Sequence, residues 1–263
     1  MAVRALNTAA SGMNAMQTRV DVISNNLANV STTGYKRDRA EFQDLIYQHQ
    51  RRPGVMTPLQ NRTPIGIQVG LGVKTSGVSK EMEQGSVQHT GNQLDWAVNG
   101  EGFFQIEYTQ GQTAYTRDGS FHRDSEGNIV TAEGYKLFPN ITLPDNIVSV
   151  EMSKDGQLAL FNDVGEQQGS QQIQLARFPN PAGLEAIGDN LYLSRPEATG
   201  TVATGNPGTA GFGVVLGRFL ETSNVDVVNS MVDLIKAQRA YEFNANAIQS
   251  ADSMLQRASS LVR

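Results

Sequence analysis

Cysteine is absent from this 263-residue chain. Its absence excludes disulfides and thiolate metal sites, and agrees with either a reducing compartment or export of an unfolded chain through a narrow conduit. Aromatic residues are scarce, at 7%, whereas Gly numbers 26 and Thr, Ser, Asn and Gln are plentiful. That balance favours strands and turns over a second helical domain. No apolar run is long enough to span a membrane, and the N-terminus lacks the basic, apolar, then small-residue layout of a cleaved secretory signal. Strong charge is missing too, with a net −5. Lys36, Arg37 and Arg39 alternate with Asp38 and Glu41, so no basic stripe exists to bind a nucleic-acid backbone.

Chemistry-bearing constellations are equally thin. His49, His89 and His122 are scattered, with no carboxylates at ligand spacing, so no metal site is expected. The run Asp124-Ser125-Glu126-Gly127 has its Gly too early for a calcium loop and ends on Tyr135 where a bidentate acid belongs. Gly100-Glu101-Gly102 lacks the third Gly of a dinucleotide fingerprint and opens a strand. Asp118, Asp124 and Glu126 with Ser120 and His122 are the one cluster where a hydrolase is conceivable, but alternation along a hairpin sends neighbours to opposite faces. The expectation is no catalytic residue, no cofactor and no small-molecule substrate.

Gly and Pro are missing throughout residues 224–263. In that stretch Val227, Leu234, Tyr241, Ile248, Leu255 and Val262 recur every seven residues, with Ser230, Ala237, Asn244, Ala251 and Ala258 three later, which is a coiled-coil seam. Asp226 at the start and Arg257 and Arg263 at the end suit the helix dipole. Near the other terminus Leu6, Met13, Val20 and Leu27 form one heptad row, and Ala9, Met16, Ile23 and Val30 the second. The two ends are expected to pair as a helical hairpin or bundle. Ordering a residue costs roughly 1–2 kcal/mol of backbone entropy, and burying an aliphatic side chain returns roughly 1.5–3 kcal/mol. Such helices alone are marginal, so they are expected to firm up only among further copies.

Between the ends the pattern changes. The first helix should stop near Val30, before Gly34. Residues 35–50 fit a short helix or a strand, and residues 51–77, with Pro53, Pro58, Pro64 and several Gly, read as an irregular extended arm. Beyond Val78 the period is two, with strands around Trp96, Phe104, Ile129 and Leu137 and at 147–152, 157–161, 173–178, 191–193 and 214–220. Asn99-Gly100, Asp118-Gly119, Glu126-Gly127 and Asp155-Gly156 are turn signals, and 199–213 reads as a loop. The fold class is therefore α+β. Residues 1–32 and 224–263 form a coiled-coil-like inner domain, 33–77 a connecting segment and arm, and 78–223 an inserted all-β outer domain.

The stretch SNNLANVSTTGYK (24–36) resembles the N-terminal signature of the rod and hook family, the axial proteins of the bacterial flagellum. Its motif residues are Asn25, Asn26, Leu27, Ala28, Asn29, Gly34, Tyr35 and Lys36. AQRAYE (237–242), containing Gln238, Arg239, Ala240 and Tyr241, and ADSMLQ (251–256) resemble the family's C-terminal helix. GEGFFQ (100–105), YTRDGSF (115–121), GLEAIGDNLY (183–192) and LETSNV (220–225) match between them. Residues 45–73 are similar to the extension of distal-rod members, and the chain is too short for the hook's additional outer domain. The resemblance implies a homopolymer forming a hollow straight tube that carries torque and the export channel across the periplasm. It implies as partners the proximal rod proteins, the hook protein, rings in the peptidoglycan and outer membrane, and the flagellar export apparatus. The polymer contacts would come from Leu6, Met13, Met16, Val20, Ile23, Leu27, Val30, Val227, Leu234, Tyr241, Ile248 and Leu255. A hook or proximal rod protein, a secreted β-domain hydrolase, and a phage-tail or adhesin fibre are the alternatives.

Overall fold

A computed structural model describes residues 2–52, 65–144, 146–163 and 165–261. The central part of the arm and Val262 therefore lie outside the described residues. The architecture is α+β, with helices α1 (Ala2–Ala28), α2 (Pro196–Thr199) and α3 (Val227–Leu261) and a strand-rich middle. The chain divides into two compact units. Unit 1 gathers Met1–Leu27, Asp38–Ser79 and Asp226–Arg263, and unit 2 gathers Ala28–Arg37 and Lys80–Val225.

In unit 1, α1 and α3 are joined by strands β1 (Asp38–Asp44), β2 (Tyr47–Arg51), β3 (Ile67–Gly70) and β4 (Val73–Lys80). β1 pairs with β4, and β2 with β3. Two of these strands occupy the stretch expected to be irregular. Their side chains are largely exposed, so no apolar alternation marks them, and they are held by backbone pairing. For residues 35–50 the strand is the form found. Asp226 caps α3, its Oδ1 accepting from the Val228 and Asn229 amides at 2.9 and 3.1 Å, which satisfies two otherwise orphaned donors.

In unit 2 the strands are β5 (Val87–His89), β6 (Trp96–Asn99), β7 (Phe103–Glu107), β8 (Thr113–Thr116), β9 (His122–Arg123), β10 (Ile129–Val130) and β11 (Lys136–Phe138). They continue with β12 (Ile147–Met152), β13 (Gln157–Asn162), β14 (Gln167–Gln172), β15 (Leu175–Arg177), β16 (Glu185–Gly188), β17 (Leu191–Leu193), β18 (Ala203–Gly205), β19 (Val214–Gly217) and β20 (Phe219–Glu221). A nine-stranded sheet runs β16-β17-β8-β7-β11-β10-β9, with β15 joining β7 and β18. β12-β13-β14, β19-β6 and β20-β5 form smaller sheets.

Phe103 and Phe104 stand next to each other on the central strand, and both are buried. Adjacent residues face opposite sides of a sheet, and both sides are covered. Phe104 packs with Trp96, Phe121, Ile129 and Leu137 in the larger core, while Phe103 packs with Tyr115, Phe178, Leu184 and Tyr192 in the smaller one. Phe121 meets Phe104 edge-on, with ring centres 5.3 Å apart.

Three turn expectations need correction. The expected single strand at 214–220 is divided at Arg218, whose φ of 66° turns the chain between β19 and β20. The expected loop at 199–213 contains β18, paired to β15. Gly119 does not take the positive φ expected of a hairpin turn; the position needs glycine because a Cβ there would lie 1.6 Å from the Trp96 carbonyl oxygen. Gly127 and Gly156 do take the expected positive φ, at 82° and 75°.

Candidate functional site

Two features stand out, one in each unit. In unit 1, α1 buries Ala9, Ala15 and Ile23, and α3 buries Ala237 and Ala251. Gly12 of α1 lies against Asn244 of α3, where an added Cβ would come within 2.9 Å of Asn244 Nδ2. An open groove of about 550 Å³ is lined by Ala5 and Ala9 of α1, Asn244 and Ala247 of α3, and Val69 of β3. Of the sequence-predicted contact residues, Ile23 is buried, and Leu6, Met13, Met16, Val20, Leu27, Val30, Leu234 and Ile248 are half-buried. Val227, Tyr241 and Leu255 are exposed. The small-residue row Ser230, Ala237, Asn244 and Ala251 is the more covered of the two rows on α3.

The heptad reading overlooked a second apolar face. Val228, Met231, Val232 and Ile235 are 71%, 50%, 44% and 51% exposed, and Phe243 is 72% exposed. Residues 228 and 235 lie roughly half a helical turn from 230 and 237, so this stripe runs along the side of α3 opposite its covered side. The i, i+3, i+4, i+7 spacing was the signal available, and it was hidden because those positions interleave with the seam. The free face of α1 is unlike it, presenting Asn7, Asn14, Gln17 and Asp21.

In unit 2 a buried ion cluster collects the motifs. Lys36 Nζ donates to Glu221 Oε1 at 2.6 Å, and Arg117 NH1 donates to Glu221 Oε2 at 3.4 Å; the three side chains are nearly inaccessible to solvent. Lys36 also donates to the Glu83 carbonyl at 2.8 Å, and Arg117 to the carbonyls of Val98 at 3.3 Å and Gly100 at 2.8 Å. The Gly85 amide donates to Glu221 Oε1 at 2.9 Å. Burial pushes both Lys36 and Arg117 below their ordinary pKa values, and Glu221 opposes that in each case. Removing one partner of such a pair costs about 3–5 kcal/mol, because the other charge stays in a dry site.

The flanking motif residues have equally concrete roles. Asn26 is buried, and its carboxamide pairs both ways with the Asp38 backbone at 2.8 Å, closing the turn that follows α1. Asn29 Oδ1 accepts from Thr32 Oγ1 at 3.2 Å. Gly34, at φ 66°, passes so close to Asp118 that a Cβ would lie 2.7 Å from its amide nitrogen. Tyr35 stands beneath Lys80, with Nζ 5.4 Å from the ring centre. Asn25 and Ala28 are exposed. Asn224 Oδ1 accepts from the Arg37 amide at 2.8 Å, and its Nδ2 donates to the Glu81 carbonyl at 2.9 Å. Arg37 also pairs with the Glu81 carboxylate. Along α3, Gln238, Arg239 and Tyr241 are exposed and Ala240 is half-buried.

The acids imagined for a hydrolase serve turns instead. Asp118 Oδ1 accepts from the Ser120 amide and hydroxyl, and Oδ2 accepts from Asn190. Asp124 accepts from the Ser125 amide, while Glu126 meets Asn128 and Lys136. Among the described residues no group of three or more His, Asp or Glu is placed to hold a metal.

Known proteins decide the matter. A relative from Caulobacter vibrioides, "Flagellar basal-body rod protein FlgG", is 48% identical over 261 residues, covering 98% of this chain and 99% of its own length. The chain belongs to the family of flagellar basal-body rod proteins. A FlgG from Borreliella burgdorferi is 46% identical, covering 99% of both chains, and one from Bacillus subtilis is 35% identical, covering 99% of this chain and all of its own. Three family descriptions also match: "Flagella basal body rod protein" at 6–36, "Flagellar hook protein FlgE/F/G D1 domain" at 97–160, and "Flagellar basal body rod FlgEFG protein C-terminal" at 217–261. Membership makes this rod protein a structural subunit of the basal-body rod and not an enzyme, and nothing supports the hydrolase alternative. In the described residues no helix is long and apolar enough to cross a membrane.

Proposed function

We propose that copies of this chain polymerise into a hollow, straight tube, with an inner domain built from α1 and α3 as a coiled-coil-like pair and the β-rich part arranged outside it. The observation that supports this best is that α3 is apolar on two opposite faces. A helix of that kind is stable in water only when both faces are covered, and the chain's own residues cover one. The free stripe of Val228, Met231, Val232 and Ile235, continued by Phe243, is one polymer contact, and the exposed seam residues Val227, Tyr241 and Leu255 add a second along the edge of the covered face. Leu6, Met13, Met16, Val20, Ile23, Leu27, Val30, Leu234 and Ile248 hold the helical unit in the form that presents it.

In this reading residues 45–73 form an arm that packs outward and resists bending. Its exposed apolar residues Ile46, Tyr47, Ile65, Ile67 and Leu71 support that role. Two unlike apolar patches on one subunit suit a head-to-tail contact, which generates an open helical polymer. The tube conveys torque from motor to hook across the periplasm and carries the export channel. Its neighbours are proximal rod proteins below, the hook protein above, and the rings in the peptidoglycan and outer membrane around it. The flagellar export apparatus delivers the chain.

Deleting residues 53–64 tests the arm. Electron microscopy of the resulting polymers should find altered stiffness or curvature with thermal unfolding of the monomer unchanged. Straight polymers indistinguishable from the parent's would remove the arm from the account.

A further inference from the structure

Lys36 and Arg117 place two cations in a space closed to water, and the carboxylate that both reach is Glu221, 185 and 104 residues later in the chain. Their remaining hydrogen bonds run to the Glu83, Val98 and Gly100 carbonyls, which can solvate a cation but cannot neutralise it. Glu101 also acts on Arg117, but its carboxylate receives Arg177 Nε at 2.6 Å in an exposed pair. Arg117 Nε is buried without an acceptor, so the cluster has no spare polar partner to absorb a lost charge.

We propose that Glu221 is the key that closes unit 2. Before β20 docks, closing unit 2 around Lys36 and Arg117 would bury two uncompensated cations, so the unit stays open with both in water. Docking of β20 against β5 inserts the carboxylate and gives it the Gly85 amide as well. The same step delivers Asn224, which ties Arg37 to Glu81. Asp226, the cap of α3, follows two residues later, so α3 begins from a unit that has already closed. Folding of the β-rich unit is thereby a last-strand event, and a chain lacking its C-terminal part cannot present a finished unit. The proposal concerns the single chain and does not rest on the polymer contacts.

The test compares the full-length chain with Glu221→Gln, Lys36→Met and Lys36→Met/Glu221→Gln, using amide hydrogen exchange of peptides covering residues 94–121 in dilute solution. Glutamine keeps the size of the side chain and an acceptor for the Gly85 amide, and removes only the charge. Glu221→Gln should speed exchange of this core by about a hundredfold or more. Adding Lys36→Met should restore most of the lost protection, because one stranded cation is gone. Glu221→Gln with the parent's protection would overturn the proposal. A double variant no better protected than Glu221→Gln would overturn it equally, since packing losses alone would add and never compensate.

Discussion

Replacing Met231 and Ile235 together by glutamine separates assembly from folding. Each side chain is about half exposed in the single chain, at 50% and 51%. Full burial of such a side chain is worth roughly 1.5–3 kcal/mol, so covering the exposed half yields about 0.8–1.5 kcal/mol per residue and about 1.5–3 kcal/mol per subunit contact. That corresponds to roughly a ten- to hundredfold weaker contact. Because neither side chain is enclosed within unit 1, thermal unfolding of the dilute monomer should stay within about 0.5 kcal/mol of the parent. Leu234→Asp and Ile248→Asp provide the contrast. Both residues face the covered side of α3, so a charge there should cost several kcal/mol in the monomer and block polymerisation as a consequence. Sedimentation across a concentration series reads the critical concentration, and circular dichroism reads the melt. A double variant that polymerises at the parent's critical concentration, or that melts as early as Leu234→Asp, refutes the reasoning.

Gly34→Ala should destabilise unit 2 by about 2–3 kcal/mol, since the residue holds a left-handed φ and its Cβ would press on the backbone of Arg117 and Asp118; denaturant melts check this, and an unchanged midpoint would be incompatible with it. Asn26→Ala removes both bonds to the Asp38 backbone and should cost about 1–3 kcal/mol, seen as faster amide exchange at Asp38. Asp226→Ala removes the cap of α3 and should cost about 1 kcal/mol, with the Val228 and Asn229 amides the first to lose protection.

The helices were legible because their heptad rows run for many turns without Gly or Pro, and a pattern that long is set locally. The alternating strands around Trp96 and Phe104 were legible for the same reason. β3 and β4 were not, because a strand whose side chains remain exposed, such as Val73–Lys80, has no apolar rhythm to read. The free stripe of α3 was obscured by assigning each helix one seam, although Val228, Met231, Val232 and Ile235 were in plain view in the chain. The joining of Lys36, Arg117 and Glu221 was beyond sequence reasoning of any kind, since Lys36 belongs to a run of alternating charges and its partner lies 185 residues away. The family resemblance pointed at GYK, YTRDG and LETSNV as separate motifs; the structure supplies the reason they occur together, which is one buried cluster.

Electron cryo-microscopy of the polymer formed by the full-length chain tests the central claim most directly, by locating the side of α3 that carries Val228, Met231, Val232 and Ile235. The account predicts these four side chains enclosed against a neighbouring copy. Finding them open to solvent in a well-formed tube, with copies held together elsewhere, would contradict it.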